Sequence, residues 1–170
     1  MSMKLSAGDP LPSVGLRATD GFLLNLRSFV TKQPAVLLFF AAPTAAGAAR
    51  RRGLQAIQAL ASGHDRLREA GVMVVGISTD SEEQQKAFVE EHGLPFLLFS
   101  DERRSAVELL GIETSADGAN VNVARPVAVA IDIDGVIRSV IDPVEPENLV
   151  DAVMRALSEP MPAATEDASA

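Results

Sequence analysis

The sequence has no cysteine among its 170 residues. Disulfides, thiolate metal sites and thiol nucleophiles are therefore closed to the chain as it stands. Tryptophan and tyrosine are absent as well, which removes the usual stacking aromatics and leaves seven phenylalanines for the core. Histidine occurs twice, at His64 and His92, each isolated, near a glycine, and without a second histidine or convergent carboxylate at metal-ligand spacing. Both read as polar residues at helix ends. No run of about 18 apolar residues occurs, and the start M-S-M-K-L-S-A-G-D-P lacks an apolar segment of signal-peptide length. No membrane association is expected, and a cytoplasmic protein is the expectation. Basic residues are few: 15 Lys and Arg against 23 Asp and Glu give a net charge of -8, which works against neutralising the phosphates of a nucleic acid.

What is present fits one globular domain, with 47% hydrophobic and 22% charged residues. The expected domain covers residues 1–158. The remainder, 159–170 (E-P-M-P-A-A-T-E-D-A-S-A), is small and acidic and reads as a disordered tail. Ala7 to Pro12 is turn-rich, and Thr19-Asp20-Gly21 before F-L-L-N-L predicts an N-terminal hairpin extension. A-V-L-L-F-F (35–40) and V-M-V-V-G-I-S (72–78) are unalternated apolar runs of strand length, as in a sheet covered on both faces. Between them Leu54, Ile57, Leu60, Ala61 and Leu67 recur at helical spacing, with an interruption at Ser62-Gly63 and a stop at Gly71.

Ser81 and Gln84 have capping-box spacing for a helix that Gly93 ends. A strand over 96–99, a short helix over 105–110 and a polar loop over 113–124 follow. V-A-V-A-I-D-I-D-G-V-I-R-S-V-I (127–141) predicts two strands around an Asp134-Gly135 turn, and 147–157 a final amphipathic helix introduced by Pro146. The fold class is therefore α/β.

Five stretches in order carry a family resemblance over about Gly8 to Leu157: A-G-D-P-L-P, A-V-L-L-F-F, E-A-G-V-M-V-V-G-I-S-T-D-S with Q-K-A-F, G-L-P-F-L-L-F-S-D-E, and A-I-D-I-D-G-V-I-R. The chain resembles the peroxiredoxin family (AhpC/TSA, bacterioferritin-comigratory-protein-like) within the thioredoxin-like redoxins. The resemblance implies a thioredoxin fold, a central mixed sheet flanked by helices, and peroxide reduction by a cysteine thiolate. It implies no cofactor, and a homodimer or other protein partner as the form of association.

Family members carry P-x-x-x-T-x-x-C at the helix start after the first buried strand, where the helix N-terminus and an arginine hold the thiolate. In this sequence F-F-A-A-P-T-A-A-G-A-A-R-R-R (39–52) occupies that turn. Anchored on the strand end, Thr44 falls on the threonine, Gly47 on the cysteine and Phe40 on the proline. Anchored on Gly71, the cysteine position falls near Gly53. Neither register supplies sulfur. Pro126, with Arg125 just before it, falls at the family arginine, a position that is a cis-proline in thioredoxin relatives; a cis Arg125-Pro126 bond is the expectation.

Each position also has a plain reading. Thr44 suits a helix N-cap and has no neighbouring base to activate it. Arg50, Arg51 and Arg52 point about 100° apart on a helix and read as solvated surface. Asp132-Ile133-Asp134-Gly135 lacks acidic groups at Ala130 and Ile141 and reads as a turn rather than a calcium loop. A-A-G-A-A lacks the glycine pattern of a phosphate cradle. Three functions remain open: a redoxin-like binding or regulatory module without thiol peroxidase activity; a non-thiol enzyme whose Thr44, Arg125 or helix N-terminus binds an anionic substrate; and an antioxidant thiol peroxidase whose cysteines have been replaced, at Ala45, Ala46, Ala48 or Ala49. The first is preferred, with no catalytic or metal-binding residue assigned.

Overall fold

Strand β3 (Ala35–Phe39) shows why the apolar runs do not alternate: all five of its residues are buried, because layers cover both faces of the sheet. A computed structural model describes residues 6–18, 23–30, 33–41, 47–117 and 120–158. Thr44, Ala45 and Ala46 and the expected tail 159–170 lie outside the described residues.

β1 (Gly15–Ala18) and β2 (Leu23–Asn25) form the antiparallel hairpin expected near the start, leading into the short helix α1 (Leu26–Val30). After β3 come α2 (Gly47–Ser62), α3 (His64–Glu69) and β4 (Met73–Ser78), which lies parallel to β3. The expected interruption falls at Gly63, between the two helices. A methyl group there would come within 2.5 Å of the Val150 side chain, so glycine permits the close approach of the last helix.

α4 (Glu82–His92) begins with the predicted capping box. Ser81 Oγ accepts from the Gln84 N–H, and the Gln84 side chain accepts from the Ser81 N–H at 2.9 Å. It ends at Gly93, whose left-handed φ of 59° closes the last turn. β5 (Leu97–Ser100) and α5 (Ser105–Leu110) follow as read from the sequence, α5 being started by buried Asp101, whose two carboxylate oxygens accept from the Ala106 and Val107 N–H groups.

The polar segment 113–124 is not a loop. It forms a second, two-stranded sheet of β6 (Thr114–Asp117) and β7 (Asn120–Val123). Its first strand, T-S-A-D, has no apolar alternation to announce it, and the pair is fixed by tertiary anchors: Val123 is fully buried, and Thr79 Oγ1 donates to the Val121 carbonyl at 2.6 Å. β8 (Val127–Ile131) and β9 (Ile137–Ile141) then make the predicted antiparallel pair, with Asp132 Oδ1 accepting from the Asp134 and Val136 N–H groups in the turn. α6 (Pro146–Ser158) closes the chain.

The main sheet has seven strands in the order β2-β1-β5-β4-β3-β8-β9, parallel among β3, β4 and β5 and antiparallel elsewhere. Alternate residues of β3 separate two cores. Leu37 and Phe39 face Val107 and Leu110 of α5, whereas Val36, Leu38 and the following Phe40 face Ile57 and Leu60 of α2, Phe88 of α4 and Leu149 and Val153 of α6. The segment before β1 covers the start of the β9 edge, through Gly8 N–H to the Ile137 carbonyl and Ile137 N–H to the Asp9 carbonyl.

Candidate functional site

In open α/β sheets the ligand-binding crevice lies beyond the C-terminal ends of the parallel strands, here the ends of β3 and β4. Past β3 the described chain runs through Phe40 and Ala41 and resumes at Gly47, the first residue of α2. Phe40 is fully buried in the core. Its N–H donates to the Ile77 carbonyl at 3.1 Å, and its ring lies 5.9 Å from that of Phe88. Phe40, which the strand-end register expects at the family proline, is thus an extension of the strand and part of the core.

The two glycine positions differ sharply. Gly47 is exposed, has a left-handed φ of 64°, and a side chain there would meet nothing within 4 Å. Gly53 is buried against Ala41: a Cβ would fall 2.6 Å from the Ala41 carbonyl oxygen and 3.1 Å from its nitrogen. Main-chain atoms in the central strand exit cannot yield as a flexible side chain would, so position 53 admits no side chain without moving the turn.

On the other side of the strand end, Phe39 pairs with Val127, so the register brings Arg125 and Pro126 alongside Phe40 and Ala41. The Arg125-Pro126 peptide is trans, contrary to the sequence expectation; among the described residues the cis X-Pro bond is Asp142-Pro143, at the end of β9. Trans is the lower-energy isomer of an ordinary X-Pro bond by about 0.5–1 kcal/mol. In that form Arg125 reaches two carboxylates. Its Nε and Nη2 donate to the two oxygens of Asp142 at 2.8 and 2.9 Å, and its Nη1 donates to Glu113 Oε1 at 2.8 Å.

The hydrogen bonds from Arg125, joined by its charge, hold the Glu113 carboxyl below its usual range, while those to Asp142 and then Glu113 push the guanidinium further up. The fork is therefore occupied and its charge is compensated. Sequence reasoning did not find Asp142 or Glu113, because each is more than ten residues from Arg125 and only the fold brings them to it.

Arg125 and Pro126 line a cavity of about 250 Å³ together with Arg52 and Gln55 of α2 and with Pro143, Val144 and Pro146. Gly47 does not line it. His64 and His92 sit against Phe96 and Phe88, with ring centroids 5.8 and 4.5 Å apart, and no group of three metal-binding side chains occurs among the described residues.

The AhpC/TSA family model matches residues 7–140. The chain belongs to the AhpC/TSA family of peroxiredoxins. It is 34% identical over 157 residues to peroxiredoxin Bcp of Escherichia coli strain K12, covering 91% of this chain and 97% of that protein. It is 30% identical over 155 residues to the chloroplastic peroxiredoxin Q of Sedum lineare, covering 91% of this chain and 78% of that protein. In fold it is similar to peroxidoxin BcpB of Mycobacterium tuberculosis (TM-score 0.76, 21% identity, 91% of this chain and 97% of that one) and to peroxiredoxin Q of Xanthomonas campestris (TM-score 0.71, 18% identity, 89% and 96%). The thioredoxin-type peroxiredoxin fold expected from the sequence is the one observed, in a family member without cysteine.

Proposed function

We propose that this protein is a Bcp/peroxiredoxin-Q-type redoxin that has left thiol peroxidase chemistry and works as a binding or regulatory module, in the cytoplasm, as a homodimer or with another protein partner. The observation that carries the reading is the absence of any cysteine from the whole chain. Peroxide reduction by the family chemistry needs a thiolate that can become a sulfenic acid, and no residue here can do so. Two features of the strand exit support it: Arg125, the nearest arginine to the family position, is committed to Asp142 and Glu113, and Phe40 is committed to the core.

Of the two registers, Gly47 is the favoured position of the lost thiol, because it is open where Gly53 is packed on main chain. Incubated with hydrogen peroxide or an alkyl hydroperoxide and with thioredoxin, thioredoxin reductase and NADPH, or with dithiothreitol, the protein is expected to leave peroxide consumption at the buffer rate. Consumption that rises in proportion to protein concentration and saturates with peroxide would overturn the reading.

A further inference from the structure

The cavity beside Arg125 has two chemically different walls. On one, Arg52 and Gln55 lie three residues apart on α2, so they share a helix face and bring guanidinium and carboxamide donors to one opening. On the other stand Pro126, Pro143, Val144 and Pro146. The three prolines carry no N–H, so this wall offers apolar surface without competing donors.

The charge balance is uneven as well. Arg125 is compensated by Asp142 and Glu113, and neither carboxylate lines the cavity. Arg52 is exposed and forms no ion pair with any described residue. Arg52, a cation without an ion-pair partner among the described residues, thus lines the same space of about 250 Å³ as the proline and valine surface. That volume is just under the roughly 300–1,000 Å³ of sites for drug-sized ligands, and suits a small metabolite.

We propose that this cavity binds a small organic monocarboxylate with a branched or aromatic body. The carboxylate sits on the Arg52 fork and the Gln55 amide, and the body lies against Pro126, Pro143 and Pro146. A planar guanidinium matches a carboxylate with two parallel hydrogen bonds. A dianion such as phosphate meets a single uncompensated charge and gains nothing from the proline wall, and a cation is repelled by Arg52. The proposal deepens the binding-module reading and rests on it, yet its failure leaves the absence of peroxidase chemistry untouched, since that is measured separately.

The test is a titration of the ¹⁵N-labelled protein with phenylacetate, phenylacetamide and inorganic phosphate, followed by amide shifts. Phenylacetate is expected to give saturable shifts centred on Arg52, Gln55 and Val144. Arg52→Gln, an exposed substitution that leaves the fold intact, weakens that binding at least tenfold, and neutral phenylacetamide binds at least tenfold more weakly than phenylacetate. Absence of saturable shifts with phenylacetate at millimolar concentration would overturn the proposal. So would equal affinity for phenylacetamide, unchanged affinity in Arg52→Gln, or phosphate binding as tightly as phenylacetate.

Discussion

Phe40→Ala is expected to lower the stability of the protein by about 3–5 kcal/mol, the usual cost of emptying a buried phenylalanine site. For a chain of this size that is a fall in Tm of about 6–20 °C, measurable by calorimetry or circular dichroism. The ring is fully buried, touches the α4 core at Phe88, and lies over Gly76, where even a methyl group would come within 3.1 Å of it. Phe40→Pro is expected to cost more than Phe40→Ala. It opens the same cavity and also removes the N–H that Ile77 accepts, leaving a carbonyl in the sheet without its partner. If Phe40→Pro were as stable as the parent protein, the Phe40 ring and its N–H bond to Ile77 would not hold the strand exit in place.

The second large effect separates the two glycines. Gly53→Ala is expected to cost about 1–3 kcal/mol through overpacking against the Ala41 carbonyl, and Gly53→Asn more, since it adds a buried amide to the same overlap. Gly47→Asn is expected to stay within about 1 kcal/mol of the parent, because asparagine tolerates the left-handed conformation and the position is open. Urea denaturation of the pair decides it. Equal costs at the two positions would mean that α2 does not pack on the strand exit as described.

Much of this fold was legible because its core elements are locally consistent. The uninterrupted runs at 35–40 and 72–78 are what strands covered on both faces require, and Ser81 with Gln84, Gly93, and the Asp134-Gly135 turn each announce a boundary through backbone chemistry. The hairpin at 114–123 was not legible. Its first strand is polar, and it is held by Val123 in the core and by Thr79 just past the end of β4, contacts that sequence spacing cannot show. The site was legible as an absence and little further. That no thiol stands at 47 or 53 is read directly, but which position is open depends on where Ala41 lies against α2. Likewise Arg125 looks available in sequence. Its commitment to Glu113 and Asp142 arises because the three loops meet beyond the sheet ends.

If the protein has left peroxidase chemistry as proposed, the surroundings of Gly47, with Arg125 paired to Asp142 and Glu113, no longer activate a thiol. The most direct test is to put the sulfur back, as Gly47→Cys, and to measure the second-order rate of its reaction with hydrogen peroxide at neutral pH. A peroxidase rate needs a lowered thiol pKa together with donors already aimed at the reacting oxygens. With Arg125 tied to two carboxylates, the introduced cysteine is expected to react within about tenfold of free cysteine. A rate thousands of times faster would contradict the account, for it would show a peroxidase site complete except for the cysteine side chain.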